Sequence, residues 1–74
     1  MKQQRYITFL KDKNGGTLDF QRWSQKRIST VERNAVKLIN TFKKMGCYKN
    51  NDLSCIDIVD NDGNLLKTIP ITES

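Results

Sequence analysis

Apolar positions fall into separate patterned stretches broken by polar, glycine-bearing segments, and each stretch keeps one period. Between Ser29 and Gly46, Val31, Ala35, Leu38, Ile39, Phe42 and Met45 recur at helical spacing and form one stripe. Ser29 and Glu32 stand at the spacing of a capping box. Gly46 takes the left-handed conformation that closes a helix without a Cβ clash. A helix is therefore expected at about 29–46. Ser24 offers an earlier cap and Ile28 shares the stripe, so a start near residue 25 remains open.

On either side of the helix the pattern is that of paired strands. Residues 5–11 are β-branched and aromatic, Asn14-Gly15 marks a turn, and 17–23 return. A two-residue turn pairs Phe9 with Phe20 and sets Ile7, Phe9, Leu18 and Phe20 on one face, expected to meet the helix. The reverse face then carries Tyr6, Thr8, Leu10, Asp19, Gln21 and Trp23. After a polar connection, 55–59 and 65–71 form a second hairpin about Asp62-Gly63, with Ile56, Ile58, Leu65, Ile69 and Ile71 as its core side. Pro70 cannot donate to a ladder, which places the last strand at a sheet edge. The expectation is an α+β domain of order β-β-α-β-β: a mainly antiparallel four-stranded sheet of two hairpins with one helix packed on one face. No internal repeat is expected. One domain is expected to fill 1–74, with 72–74 as a flexible tail.

A chain of 74 residues builds a thin core, burying only about 60% of its unfolded surface. No apolar run approaches the ~20 residues of a membrane span, and no signal peptide is recognised, so the expected location is cytoplasmic. Cys47 and Cys55 are expected to be reduced thiols. The absence of histidine removes the usual zinc ligand sets and the commonest general base. No carboxylates, lysines or tyrosines show a catalytic spacing, and the expectation is a non-enzymatic protein with no cofactor and no metal. The acidic turn at 60–64 is not a calcium loop, because the position for the first ligand is Ile58. Asn14-Gly15-Gly16 lacks the Gly-Lys-Ser/Thr of a phosphate loop.

Charge adds a functional candidate. The net charge is +5, and twelve of the thirteen Lys and Arg lie in 1–49 against three acids, a balance of +9, leaving −4 for the remainder. Arg33, Lys37 and Lys44 project opposite the apolar stripe over ~16 Å of helix. Arg22, Lys26 and Arg27 precede it, and Glu32 is the helix's sole acid. Such a row can follow a DNA or RNA backbone without sequence preference, although a solvated basic face is also what solubility requires. The rival reading is a protein-interaction module or homodimer that buries Tyr6, Leu10, Trp23, Val59 and Leu66 on the uncovered sheet face. Tyr6 and Trp23, opposite one another on that face, could also stack unpaired bases, but the chain lacks the glycine-aromatic signature of sheet-based single-strand binders, and coverage by a tail, a loop or a second subunit is the favoured expectation. The layout of two hairpins around a helix resembles that of short proteins carried by phages and mobile elements of bacteria, a likeness of layout that transfers no site residue.

Overall fold

A computed structural model describes residues 4–49 and 52–71, so the tail expected at 72–74 lies outside the described residues. Strands β1 (Tyr6–Asp12) and β2 (Thr17–Trp23), helix α1 (Ile28–Lys44), and strands β3 (Leu53–Asp60) and β4 (Leu65–Pro70) follow in chain order. The strands form one antiparallel sheet in the order β2-β1-β3-β4. The first strands of the two hairpins are thus joined at the centre. Pro70 ends β4, on an outer edge, as its missing N–H requires.

The helix begins earlier than its sequence signals suggest. Ile28 is its first residue and Arg27 its extended N-cap, which makes no side-chain cap bond, so the Ser29–Glu32 capping box does not form. Starting at Ile28 adds a half-buried apolar residue to the stripe, an effect comparable with the roughly 0.5–2 kcal/mol of a polar cap. The other end follows expectation. Gly46 has φ +80°, its N–H donates to Lys43 O, and the Cys47 N–H donates to Phe42 O at 3.0 Å, the bonding of a Schellman closure. Val31, Ala35 and Ile39 are buried, and Leu38 and Phe42 are half-buried. Met45, expected on the stripe, lies beyond the last helical residue and is 70% exposed.

Both hairpins turn through three residues, not two. Only the glycines have positive φ, +85° at Gly15 and at Gly63, so a type I′ turn, which needs two such residues, is absent. In the first, Asp12 Oδ1 accepts the N–H groups of Asn14 and Gly16 (2.9 and 2.7 Å). In the second, Asp60 Oδ1 accepts those of Asp62 and Asn64 (both 2.9 Å). Each longer turn is followed by one additional residue in the returning strand, Leu18 opposite the Leu10/Lys11 step and Leu66 opposite the Ile58/Val59 step. The bulge cancels the turn. Phe9 still pairs with Phe20, and Ile56 with Ile69.

Asp12, Gly15 and Leu18 of one hairpin therefore correspond to Asp60, Gly63 and Leu66 of the other, each 48 positions on. The same offset relates Phe9 to Asp57, which face each other across β1 and β3. The sheet thus has an approximate two-fold axis between those two residues, a repeat of construction with little repeat of sequence.

The covered face of the first hairpin is the reverse of the one expected. Leu10 pairs with Ile56 and Thr8 with Ile58, and all four are buried beneath α1. Trp23 packs against this core, and its indole N–H donates to Thr8 Oγ1 at 2.8 Å. Ile7, Phe9 and Phe20 face away, with Phe20 51% exposed, while the bulge turns Leu18 onto the core. Charge explains the choice. The face of Phe9 and Phe20 also carries Lys11 and Arg22, and burying two unpaired cations costs several kcal/mol each. Leu65, before the bulge in β4, pairs with Val59 and is exposed, not on the core side with Ile56 and Ile58.

Replacing Ile58, which is fully buried, with alanine is expected to destabilise the fold by about 2–5 kcal/mol in urea unfolding, whereas Ser29→Ala, with no cap bond to lose, stays within ~0.5 kcal/mol. Hydrogen bonds from the Asn64 backbone and side chain, ahead of those from Asp62 and Gly63, hold the Asp60 carboxyl below the usual aspartate range. A lowered folded-state value stabilises the fold above the ordinary aspartate value and is lost as pH falls through the folded one. Carboxyl chemical shifts should therefore show Asp60 protonating later than an ordinary aspartate on acidification, and Asp60→Asn should remove that part of the acid sensitivity.

Candidate nucleic-acid interface

Six basic residues were expected to act together, and the fold divides them. Arg33, Lys37 and Lys44 lie exposed along the outer side of α1, as the helical period requires. Lys26 and Arg27 are exposed in the connection leading into it, where the Tyr6 hydroxyl donates to Lys26 O at 3.0 Å and pins the chain. Both stand at the positive end of the helix dipole, and the first turn holds no acid. Arg22 belongs elsewhere. It stands on the uncovered sheet face, its guanidinium 5.7 Å from the centre of the Phe20 ring.

Glu32 is the helix's sole acid, and its carboxylate meets Lys67 of β4 at 2.7 Å. Among the described residues this is the only ion pair. With both side chains partly exposed it contributes about 0–1 kcal/mol to stability. Its consequence for charge is larger, because Glu32 is held toward the sheet, and the outer row has no ion-pair partner among the described residues.

The residues expected on the uncovered face are mostly not there. Leu10 is buried beneath the helix, Trp23 packs with it, and Tyr6 is committed to Lys26 on the same side. Leu66 is the bulge residue, 45% exposed. Val59 does lie on the open face, paired with Ile7.

What the open face does carry is a row across all four strands: Phe20, Phe9, Asp57 and Thr68, each paired with the next. The two rings are 6.4 Å apart and tilted by 42°. The Thr68 hydroxyl donates to Asp57 Oδ1 at 3.0 Å, and the Cys55 thiol approaches the same oxygen at 3.6 Å. Lys11 Nζ lies 5.8 Å from the centre of the Phe9 ring. Sequence reading missed Lys11, Phe9 and Phe20 as surface residues because it followed the apolar members of the i, i+2 series and stopped before the charged ones.

Neither cysteine is bonded to another; burial, then the Asp57 charge, pushes the Cys55 thiol up from its ordinary value. Among the described residues no three His, Cys, Asp or Glu gather as a metal site, and no helix is long and apolar enough to cross a membrane. A hollow of about 120 Å³ between α1 and β4 is lined mainly by Val36, Ile39, Ile69 and Ile71. That is well below the ~300–1,000 Å³ of ordinary small-molecule sites.

No protein-family model, curated protein or solved structure matches the chain.

The end of α1 that carries Lys44 is tied to the sheet by Tyr48. Its ring packs edge-on against Phe42 at 6.1 Å, and its hydroxyl donates to Asp19 Oδ2 at 3.0 Å. Burial first, then this hydrogen bond and the Asp19 charge, push the Tyr48 hydroxyl up to about 12 from its ordinary 10.0. A raised folded-state value means the phenolate opposes folding. Stability is unaffected below the ordinary tyrosine value and declines as pH rises toward 12. Ultraviolet titration should show a tyrosine ionising near pH 12 in the native protein, returning to the ordinary range in urea and absent from Tyr48→Phe.

Proposed function

We propose that the protein is a small non-enzymatic nucleic-acid-binding protein of the cytoplasm, holding phosphate backbones without sequence preference along the outer side of α1. The observation that carries this reading is the exposed row Arg33, Lys37 and Lys44, unpaired among the described residues because the helix's sole acid pairs with Lys67 on the sheet side. Lys26 and Arg27 extend the row around the positive end of the helix. Cations are poorly placed at that end unless an anion joins them, and a phosphate there would meet free N–H groups as well as two side chains.

Phosphate contacts of this kind release condensed counterions, so affinity falls steeply with salt, and duplex affinity varies little with sequence. Fluorescence anisotropy with labelled DNA and RNA at 50 and 200 mM salt tests the reading. The triple variant R33A/K37A/K44A, altered only at exposed positions, should keep its fold and lose affinity for every duplex sequence alike. The slope of log affinity against log salt should shrink by about 1 for each residue removed. Absence of binding by the unaltered protein at the lower salt would end the proposal.

A further inference from the structure

The open sheet face carries a second kind of chemistry. The geometry points to a stacking platform for unpaired bases, formed by Phe9 and Phe20 and bounded by Lys11 and Arg22, with Asp57 as an acceptor for a base edge. This deepens the nucleic-acid reading above and rests on it, assigning single strands to the sheet where the helix row takes backbones of either form.

The row across the sheet supplies the argument. Phe20 is 51% exposed, and the two ring centres, 6.4 Å apart, suit two neighbouring bases of an extended strand, one to each ring. Lys11 and Arg22 are two residues along the strands from these rings, one on each side of the row, and have no acidic partner among the described residues. A cation over an exposed ring is held more weakly than a stacked base, so an arriving base displaces it toward the phosphates. Beyond Phe9 the row continues into Asp57, held by Thr68 through Oδ1. A carboxylate accepts from the exocyclic amine of cytosine. Thymine and uracil present a carbonyl at the corresponding edge, so the platform favours cytosine over either.

A second copy of the chain is the rival occupant, and charge argues against it. The cores of protein interfaces are depleted of charged residues, yet Lys11, Arg22 and Asp57 surround or interrupt the apolar surface that a dimer would bury.

The test uses Phe20→Leu, which keeps an apolar side chain at a half-exposed site, with circular dichroism to verify its fold. The unaltered protein should bind oligodeoxycytidine more tightly than oligodeoxythymidine, and the Phe9 and Phe20 ring resonances should move upfield on binding. Phe20→Leu should weaken single-strand binding about ten-fold and leave duplex binding unchanged, the scale of losing one base stack. Single-strand affinity unchanged in Phe20→Leu, with binding and its salt slope still reduced by R33A/K37A/K44A, overturns the platform and leaves the helix reading standing. Absence of all binding at low salt overturns both. Equal affinity for the two oligonucleotides overturns the role of Asp57, and self-association that shifts the same rings without nucleic acid assigns the face to a dimer.

Discussion

The pairing of β1 with β3 is the constraint from which the rest of the structure follows. Each hairpin satisfies its own internal register, but neither alone decides which of its faces meets the helix. Once Leu10 lies opposite Ile56 and Thr8 opposite Ile58, the sheet has one continuous, mainly apolar side across its two central strands, and Val31, Ala35 and Ile39 have a surface to cover. A slip of one residue would set Phe9 and Ile7 in those places. It would also bring Lys11 and Arg22 beneath the helix, and the gain in buried aromatic area would have to exceed the desolvation of two cations. The observed arrangement half-buries Trp23 against the core instead, with its N–H satisfied by Thr8.

How much of this was legible in the chain differs by element. The helix could be read closely because its period, its Gly46 closure and its apolar stripe are local properties, each carried by residues within a few turns of one another. Its start was misread because Ser29 and Glu32 have cap spacing while the pull on Ile28 is tertiary. Both hairpin registers came out as expected by compensation: the Asp12 and Asp60 side chains favour a three-residue turn, and the bulges at Leu18 and Leu66 absorb the additional residue. The resemblance between the hairpins is easily missed in the sequence, because its identities are confined to Asp12/Asp60, Gly15/Gly63 and Leu18/Leu66, while strand positions such as Phe9/Asp57 and Phe20/Thr68 differ in character.

The face of the first hairpin was misjudged by weighing apolar side chains alone. The series Ile7, Phe9, Lys11 and the series Phe20, Arg22 each end in a cation, whereas the opposite series hold only the acids Asp12, which accepts turn N–H groups at the strand end, and Asp19, which finds the Tyr48 hydroxyl. The charges thus held the information that the apolar residues did not. The same inversion moved the candidate interaction surface from Tyr6, Leu10 and Trp23 to Phe9 and Phe20, and separated Arg22 from the helix row to which charge counting had joined it.

The two outward surfaces that result are chemically unlike. The helix presents flexible cations without aromatic residues, which suits a backbone and carries no means of distinguishing bases. The open sheet presents rings, cations and a carboxylate in a fixed row, which supplies planes to stack on and an acceptor to select with. The approximate two-fold symmetry sharpens that difference. Its axis passes between Phe9 and Asp57, and it carries Phe20 onto Thr68, so the aromatic half of the row is superposed on the polar half. One construction thereby yields a surface with two chemically distinct ends, which under the proposed single-strand binding would give a bound strand a preferred direction. That direction depends on Phe9 and Phe20 staying together on the side turned away from the helix, which the β1–β3 register enforces.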